Sequence, residues 1–126
     1  MIRGDDRVSV GIARLEVVVP GARSLKDRRQ VLVSIRDRIL HRFAVSFHEV
    51  GTGDDAQRQT VVITTAGNDA KLIRSVLDQC IGVLRDHPVA QLGQVDVDVF
   101  RWHPSEQSWA SRMMAELGGA AEDRDE

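Results

Sequence analysis

Glu16-Val17-Val18-Val19-Pro20-Gly21-Ala22-Arg23-Ser24-Leu25-Lys26-Asp27-Arg28-Arg29 passes from one periodicity to another at a single turn. Val8 to Val19 is rich in β-branched residues and closes on Pro20-Gly21, the composition of a strand ending in a tight connection. Ser24 stands where a helix N-cap belongs, and Asp27, three residues on, is placed to reach back in a capping box. Leu25, Leu32, Ile35, Ile39 and Phe43 then recur at helical spacing, so a helix is expected from Ser24 to about Arg42. The cations of this stretch therefore sit on a defined scaffold.

Working outward, Ala44 to Val50 alternates as a short strand, Gly51-Thr52-Gly53-Asp54-Asp55 reads as a loop, and Gln59 to Ala66 is a second β-branched run. Asn68 or Asp69 can cap a helix whose Ile73, Val76, Leu77, Cys80, Ile81 and Leu84 form one stripe, ended by Pro88. From Gln94 to Trp102, Val95, Val97 and Val99 alternate with Asp96, Asp98 and Phe100, the pattern of a strand with one face buried. The order βαββαβ predicts a ferredoxin-like α/β (α+β) domain: a four-stranded antiparallel sheet with two helices on one face, the first and third strands central. The second face is then open, with Asp96, Asp98, Phe100 and Trp102 on it.

The domain is expected over 8–104, after a flexible 1–7. Trp109, Met113 and Leu117 at i, i+4, i+8 predict an amphipathic helix over 105–117 that docks on the sheet or on a partner, and 118–126 reads as an acidic disordered tail. The chain of 126 residues, 42% hydrophobic and 29% charged, has the size and balance of one soluble domain. Cys80 has no partner for a bridge, so neither a disulfide framework nor a zinc site is expected, and a reducing cytoplasm fits. Residues 1–7 are polar and no run nears the roughly 18 apolar residues of a membrane span.

The net charge of −2 hides an uneven distribution. Ser24 to Phe43 holds six Lys/Arg against two Asp, a surplus of four positive charges; Ser105 to Glu126 holds two Arg against six carboxylates, a surplus of four negative ones.

Ser24-Leu25-Lys26-Asp27-Arg28-Arg29 after a Pro-Gly turn, followed by Arg42-Phe43-Ala44-Val45-Ser46 and Glu49-Val50, resembles the YlxP-like family of small bacterial proteins of unknown function. The resemblance extends through Asp54-Asp55-Ala56-Gln57-Arg58 and Asn68-Asp69 to about Phe100, with Ala56 where the family has an aromatic residue. It implies a ferredoxin-like fold in a cytoplasmic bacterial protein whose family genes often lie beside genes of translation and ribosome maturation. No catalytic residue set, metal or cofactor follows from it.

Three functions are open to this chain. The first is non-enzymatic binding of ribosomal RNA or a ribosomal subunit through the basic helix, with Arg23, Lys26, Arg28, Arg29, Arg36 and Arg42 on phosphates. Against it stands a merely solvated helix face, with Arg28 and Arg36 lying along the apolar stripe. A base-stacking sheet is not expected, because Thr60-Val61-Val62-Ile63-Thr64-Thr65 lacks aromatics and Asp96 and Asp98 repel phosphate. The second is an interaction module that uses the open sheet face, as a homodimer or small oligomer. The third, remote, is an acylphosphatase-like enzyme with Pro20 to Ser24 cradling a phosphate and Asn68 as distant partner, although that family's Gly-x-Val-x-Gly-Val loop is absent. Ser24, Leu25 and Asp27 are structural, Glu49 is expected to pair with the basic helix or Arg58, or to be a plain surface carboxylate, and Cys80 is a packed thiol.

Overall fold

In the computed structural model, which describes residues 7–51, 53–103 and 112–118, the chain runs β1 (Val8–Val18), α1 (Leu25–Arg42), β2 (Ser46–Val50), β3 (Arg58–Gly67), α2 (Ala70–Arg85), β4 (Gln91–Trp102). The strands form one antiparallel sheet in the order β2-β3-β1-β4, so this is a ferredoxin-like α+β domain with β1 and β3 at the centre. A short C-terminal helix over 112–118 is exposed throughout. Residues 1–6, Trp109 and the tail beyond 118 lie outside the described residues; Gly118, expected in the tail, ends that helix.

Alternation decides which face each strand buries. Ala13, Leu15 and Val17 of β1 and Val61 and Ile63 of β3 are fully enclosed beneath the helices, and their partners Val95 and Val97 on β4 share that face. Arg14, Asp96, Ile12, Asp98 and Phe100 occupy the open face. From α2, Ile73, Leu77, Cys80, Ile81, Val83 and Leu84 enter the core; from α1, Leu32, Ile35 and Ile39 do. Leu25, expected in the same stripe, is 43% exposed, and the buried residue of that first turn is Arg28.

Two departures have local causes. β4 begins at Gln91, three residues before the alternation starts, because Leu92 and Val95 pair with Val17 and Leu15 and leave an extra residue opposite Glu16. That bulge breaks the period-two pattern by which a strand is recognised. β2 begins at Ser46, two residues later than expected, since the Val45 N–H turns back to the Phe43 carbonyl (3.0 Å).

α2 crosses β1 so closely that a Cβ built on Gly11 would lie 2.5 Å from Ile73 Cγ2 and 2.8 Å from Leu77 Cδ1. Gly11→Val is expected to destabilise the fold by about 1–3 kcal/mol in urea denaturation, the range for overpacking, whereas Gly21→Ala, with nothing within 4 Å, leaves the midpoint in place. After α2 the chain is held by His87, whose Nδ1 accepts from the N–H groups of Val89 (3.1 Å) and Ala90 (3.2 Å). Burial, and then the positive charge of Arg38, lower the His87 pKa below its ordinary value. The unfolded chain therefore takes up this proton first as the pH falls, so the contribution is present above about pH 6.5 and lost below it. Stability measured from pH 7 to 5 is expected to decline, and His87→Gln, which keeps an acceptor that does not titrate, to flatten the decline.

Candidate functional site

Ser24 caps α1 as expected, while Asp27 reaches one residue further back than a capping box does. Ser24, in extended backbone at φ −149°, accepts the Asp27 N–H on its Oγ (3.2 Å), and the Asp27 carboxylate accepts the Arg23 N–H (3.0 Å). The Arg23 and Asp27 N–H groups of the helix mouth are thus engaged, and the Asp27 carboxylate that sits there has the wrong charge to favour a phosphate. Asn68 is not near Arg23 either. β1 and β3 pair from Ser9↔Gly67 to Val18↔Arg58, which puts the connections after β1 and after β3 at opposite ends of the sheet, about 30 Å apart at ~3.3 Å per residue.

Arg28, counted among the phosphate-binding candidates, belongs to the interior. It is 5% exposed, and its Nη1 donates to the carbonyls of Gly53 (3.1 Å), Asp55 and Arg58 (3.3 Å). Its Nε is enclosed without a hydrogen-bond partner. The residue therefore ties the first turn of α1 to the β2–β3 connection and cannot reach a ligand phosphate. Gln59, buried beside this connection, donates through Nε2 to the carbonyls of Val50 (2.8 Å) and Thr60 (3.0 Å). Gly53 turns within it at φ +72°, a conformation that suits glycine. Arg58, expected as one partner for Glu49, is paired instead with Glu16 on the open sheet face.

The other cations divide by environment. Arg23, Lys26 and Arg29 are exposed, and among the described residues none of them forms an ion pair. Arg36 pairs with the adjacent Asp37 (3.2 Å), both side chains well exposed, and the Arg42 guanidinium lies 5.1 Å from the centre of the Phe43 ring. Glu49 sits on the helix-facing side of β2, opposite Val61, where it shares a groove with Arg29 and Arg36 but makes none of the ion pairs of the described residues. Cys80 is fully buried, and burial, partly offset by Arg42, pushes its thiol up to about 11, a protonated and unreactive state. Among the described residues no cluster of His, Cys, Asp or Glu is arranged to hold a metal, and no helix is long and apolar enough to cross a membrane.

Residues 10–97 match the family described as "Protein of unknown function (DUF503)". The chain belongs to the DUF503 family. It is 29% identical over 79 residues to the Uncharacterized protein YlxP of Bacillus subtilis (strain 168), a match covering 63% of this chain and 86% of that protein. The DUF503 match spans the capped turn, Arg28 and the connection it holds, so the geometry described above lies within the family domain. Among solved structures, the cofactor-independent oxygenase SnoaB of Streptomyces nogalater aligns at TM-score 0.42 and 13% identity over 78% of this chain and 96% of that one. A C-terminal segment of the alpha subunit of aIF2 from Pyrococcus abyssi aligns at TM-score 0.43 and 19% identity over 78% and 52% of the respective chains. Likenesses this slight carry no argument about function.

Removing the Arg28 guanidinium takes the donor from the carbonyls of Gly53, Asp55 and Arg58. Arg28→Met is expected to destabilise this DUF503 protein by roughly 1.5–3 kcal/mol, the worth of hydrogen bonds to a charged group, and to speed amide exchange in Asp55 to Thr60. Arg29→Met, one residue on, is expected to stay within about 0.5 kcal/mol of the parent in the same denaturation experiment.

Proposed function

We propose that this protein is a non-enzymatic RNA-binding factor that grips the phosphate backbone of structured, ribosomal RNA through the exposed side of α1. The observation that carries this reading is the division of labour in the first turns of the helix. Capping accounts for Ser24 and Asp27, and the interior hydrogen bonds account for Arg28. Neither accounts for Arg23, Lys26 and Arg29, which stand in water without acidic partners among the described residues. Arg36 extends the patch along the helix, since its pairing with exposed Asp37 is weak enough to exchange for a phosphate. A face of three or four cations supplies sequence-independent affinity, and guanidinium groups suit two-point phosphate contacts.

The open sheet face takes no part in this. Its arginines are taken, Arg58 paired with Glu16 and Arg14 opposite Asp96, Asp98 repels phosphate, and its apolar end, where Ile12, Phe100 and Trp102 are 37%, 43% and 40% exposed, favours a second reading as a homomeric contact. The two readings use different surfaces and are compatible.

Two measurements test them. Binding to ribosomal subunits or structured RNA is expected to weaken roughly 40- to 150-fold between 50 and 200 mM salt for three or four phosphate contacts, and Lys26→Glu with Arg29→Glu to abolish it at an unchanged melting temperature. No binding at low salt would refute the RNA reading. For the homomeric contact, light scattering is expected to show Phe100→Glu as a monomer beside a heavier parent; equal masses count against it.

A further inference from the structure

The two edges of the sheet differ in length. β2, at one edge, has five residues, whereas β4, at the other, has twelve and pairs only with β1. The outer row of N–H and C=O groups on β4 meets no strand among the described residues. Natural sheets blunt such an edge with proline, lysine, a bulge or an inward-pointing charge. β4 holds neither proline nor lysine, its carboxylates Asp96 and Asp98 lie on the open face, and its bulge falls before Val95. Val95 to Trp102 therefore runs along β1 without a break and offers an unprotected edge about 26 Å long at ~3.3 Å per residue. Val95, Val97 and Val99 are only half-buried beside α2, so apolar surface follows this edge on the helix-facing side.

We infer that β4 pairs antiparallel with β4 of a second copy of this chain, joining two sheets into one of eight strands. The charge order of the strand favours its own copy as the occupant: Asp96 and Asp98 stand in the first half of the smooth segment, and Phe100, Arg101 and Trp102 in the second. Antiparallel self-pairing sets each half against the other. The buried and open faces of the two copies coincide only if the two-fold axis passes through a residue, and the charges decide which one. An axis at Val97 opposes Asp96 to Asp98, and an axis at Asp98 opposes that carboxylate to itself; like charges directly opposite are destabilising. An axis nearer the start of the strand runs into the bulge. The longest pairing free of both faults centres on Val99, which meets its own copy while Asp98 meets Phe100 and Asp96 meets Trp102. Such a contact is isologous and closes at two copies. It leaves the open sheet face uncovered and so differs from the homomeric contact considered there. Because α2 packs on β1 and β4 while α1 lies toward β2, the two basic helices come to the outer flanks of one side of the joined sheet, where both stay accessible.

The experiment is sedimentation of the full chain and its variants. The parent is expected to have twice the mass of one chain. Val99→Lys and Val99→Glu, which set like charges opposite each other at the axis, are each expected to sediment as monomers, and their equimolar mixture to regain the doubled mass, a rescue that a folding defect would not give. Ile12→Lys, on the open face of β1 and away from the edge, is expected to keep the doubled mass. Val99→Cys, a conservative change, is expected to be linked as a dimer by a mild oxidant several-fold faster than Val95→Cys, which this register sets opposite His103 of the second copy; Cys80, fully buried, stays out of the reaction. A monomeric parent, a Val99→Lys or Val99→Glu variant that alone keeps the doubled mass, a mixture that stays monomeric, or Val95→Cys linked as fast as Val99→Cys would each overturn the inference. Loss of the doubled mass in Ile12→Lys with both Val99 charge variants unaffected overturns it in favour of the open-face contact.

Discussion

A buried guanidinium organises this domain. Enclosing Arg28 is unfavourable unless its N–H groups are met, and the carbonyls of Gly53, Asp55 and Arg58 meet those of Nη1. To present three carbonyls to one nitrogen, the β2–β3 connection must fold inward beneath the first turn of α1, and Gln59 secures it at the next position. The N-terminal turn of α1, the turn after β1 and the hairpin connection are thereby joined at one end of the sheet. The Nε of the same guanidinium is enclosed without a hydrogen-bond partner.

The same interaction sorts the charges of the motif. Successive residues of a helix point about 100° apart, so Lys26, Asp27, Arg28 and Arg29 project in four directions. Asp27 turns back to the cap, Arg28 inward, and Lys26 and Arg29 to water. A cluster that reads as one basic patch is one structural cation among several exposed ones. The exposed ones are also separated from the acidic and apolar sheet face, which lies on the far side of the domain.

Much of the fold was legible in the sequence because both periodicities are clean: Val95, Val97 and Val99 share the helix-facing side, and Asp69 caps α2 beside the expected stripe. The start of β4 was not legible, since a bulge removes the alternation on which the reading depends. Arg28 was missed for another reason. It falls in step with Leu32, Ile35 and Ile39, at the spacing that marks a buried position, yet its charge placed it with the surface residues and Leu25 was assigned to the stripe in its stead. Its partners are backbone carbonyls, which leave no mark on residue types. The distance between Arg23 and Asn68, by contrast, was already implied by the antiparallel order of β1 and β3.

The central claim is that the helix presents Arg29 outward to an anionic partner while Arg28 is held within. Side-chain ¹⁵N spectra of the guanidinium Nε–H groups, recorded with and without structured RNA at low salt, test it most directly. The account predicts that the Arg29 resonance moves and that the Arg28 resonance keeps its free-state position. Movement of Arg28 in concert with Arg29, or an Arg29 resonance that stays fixed when RNA is added, would contradict it.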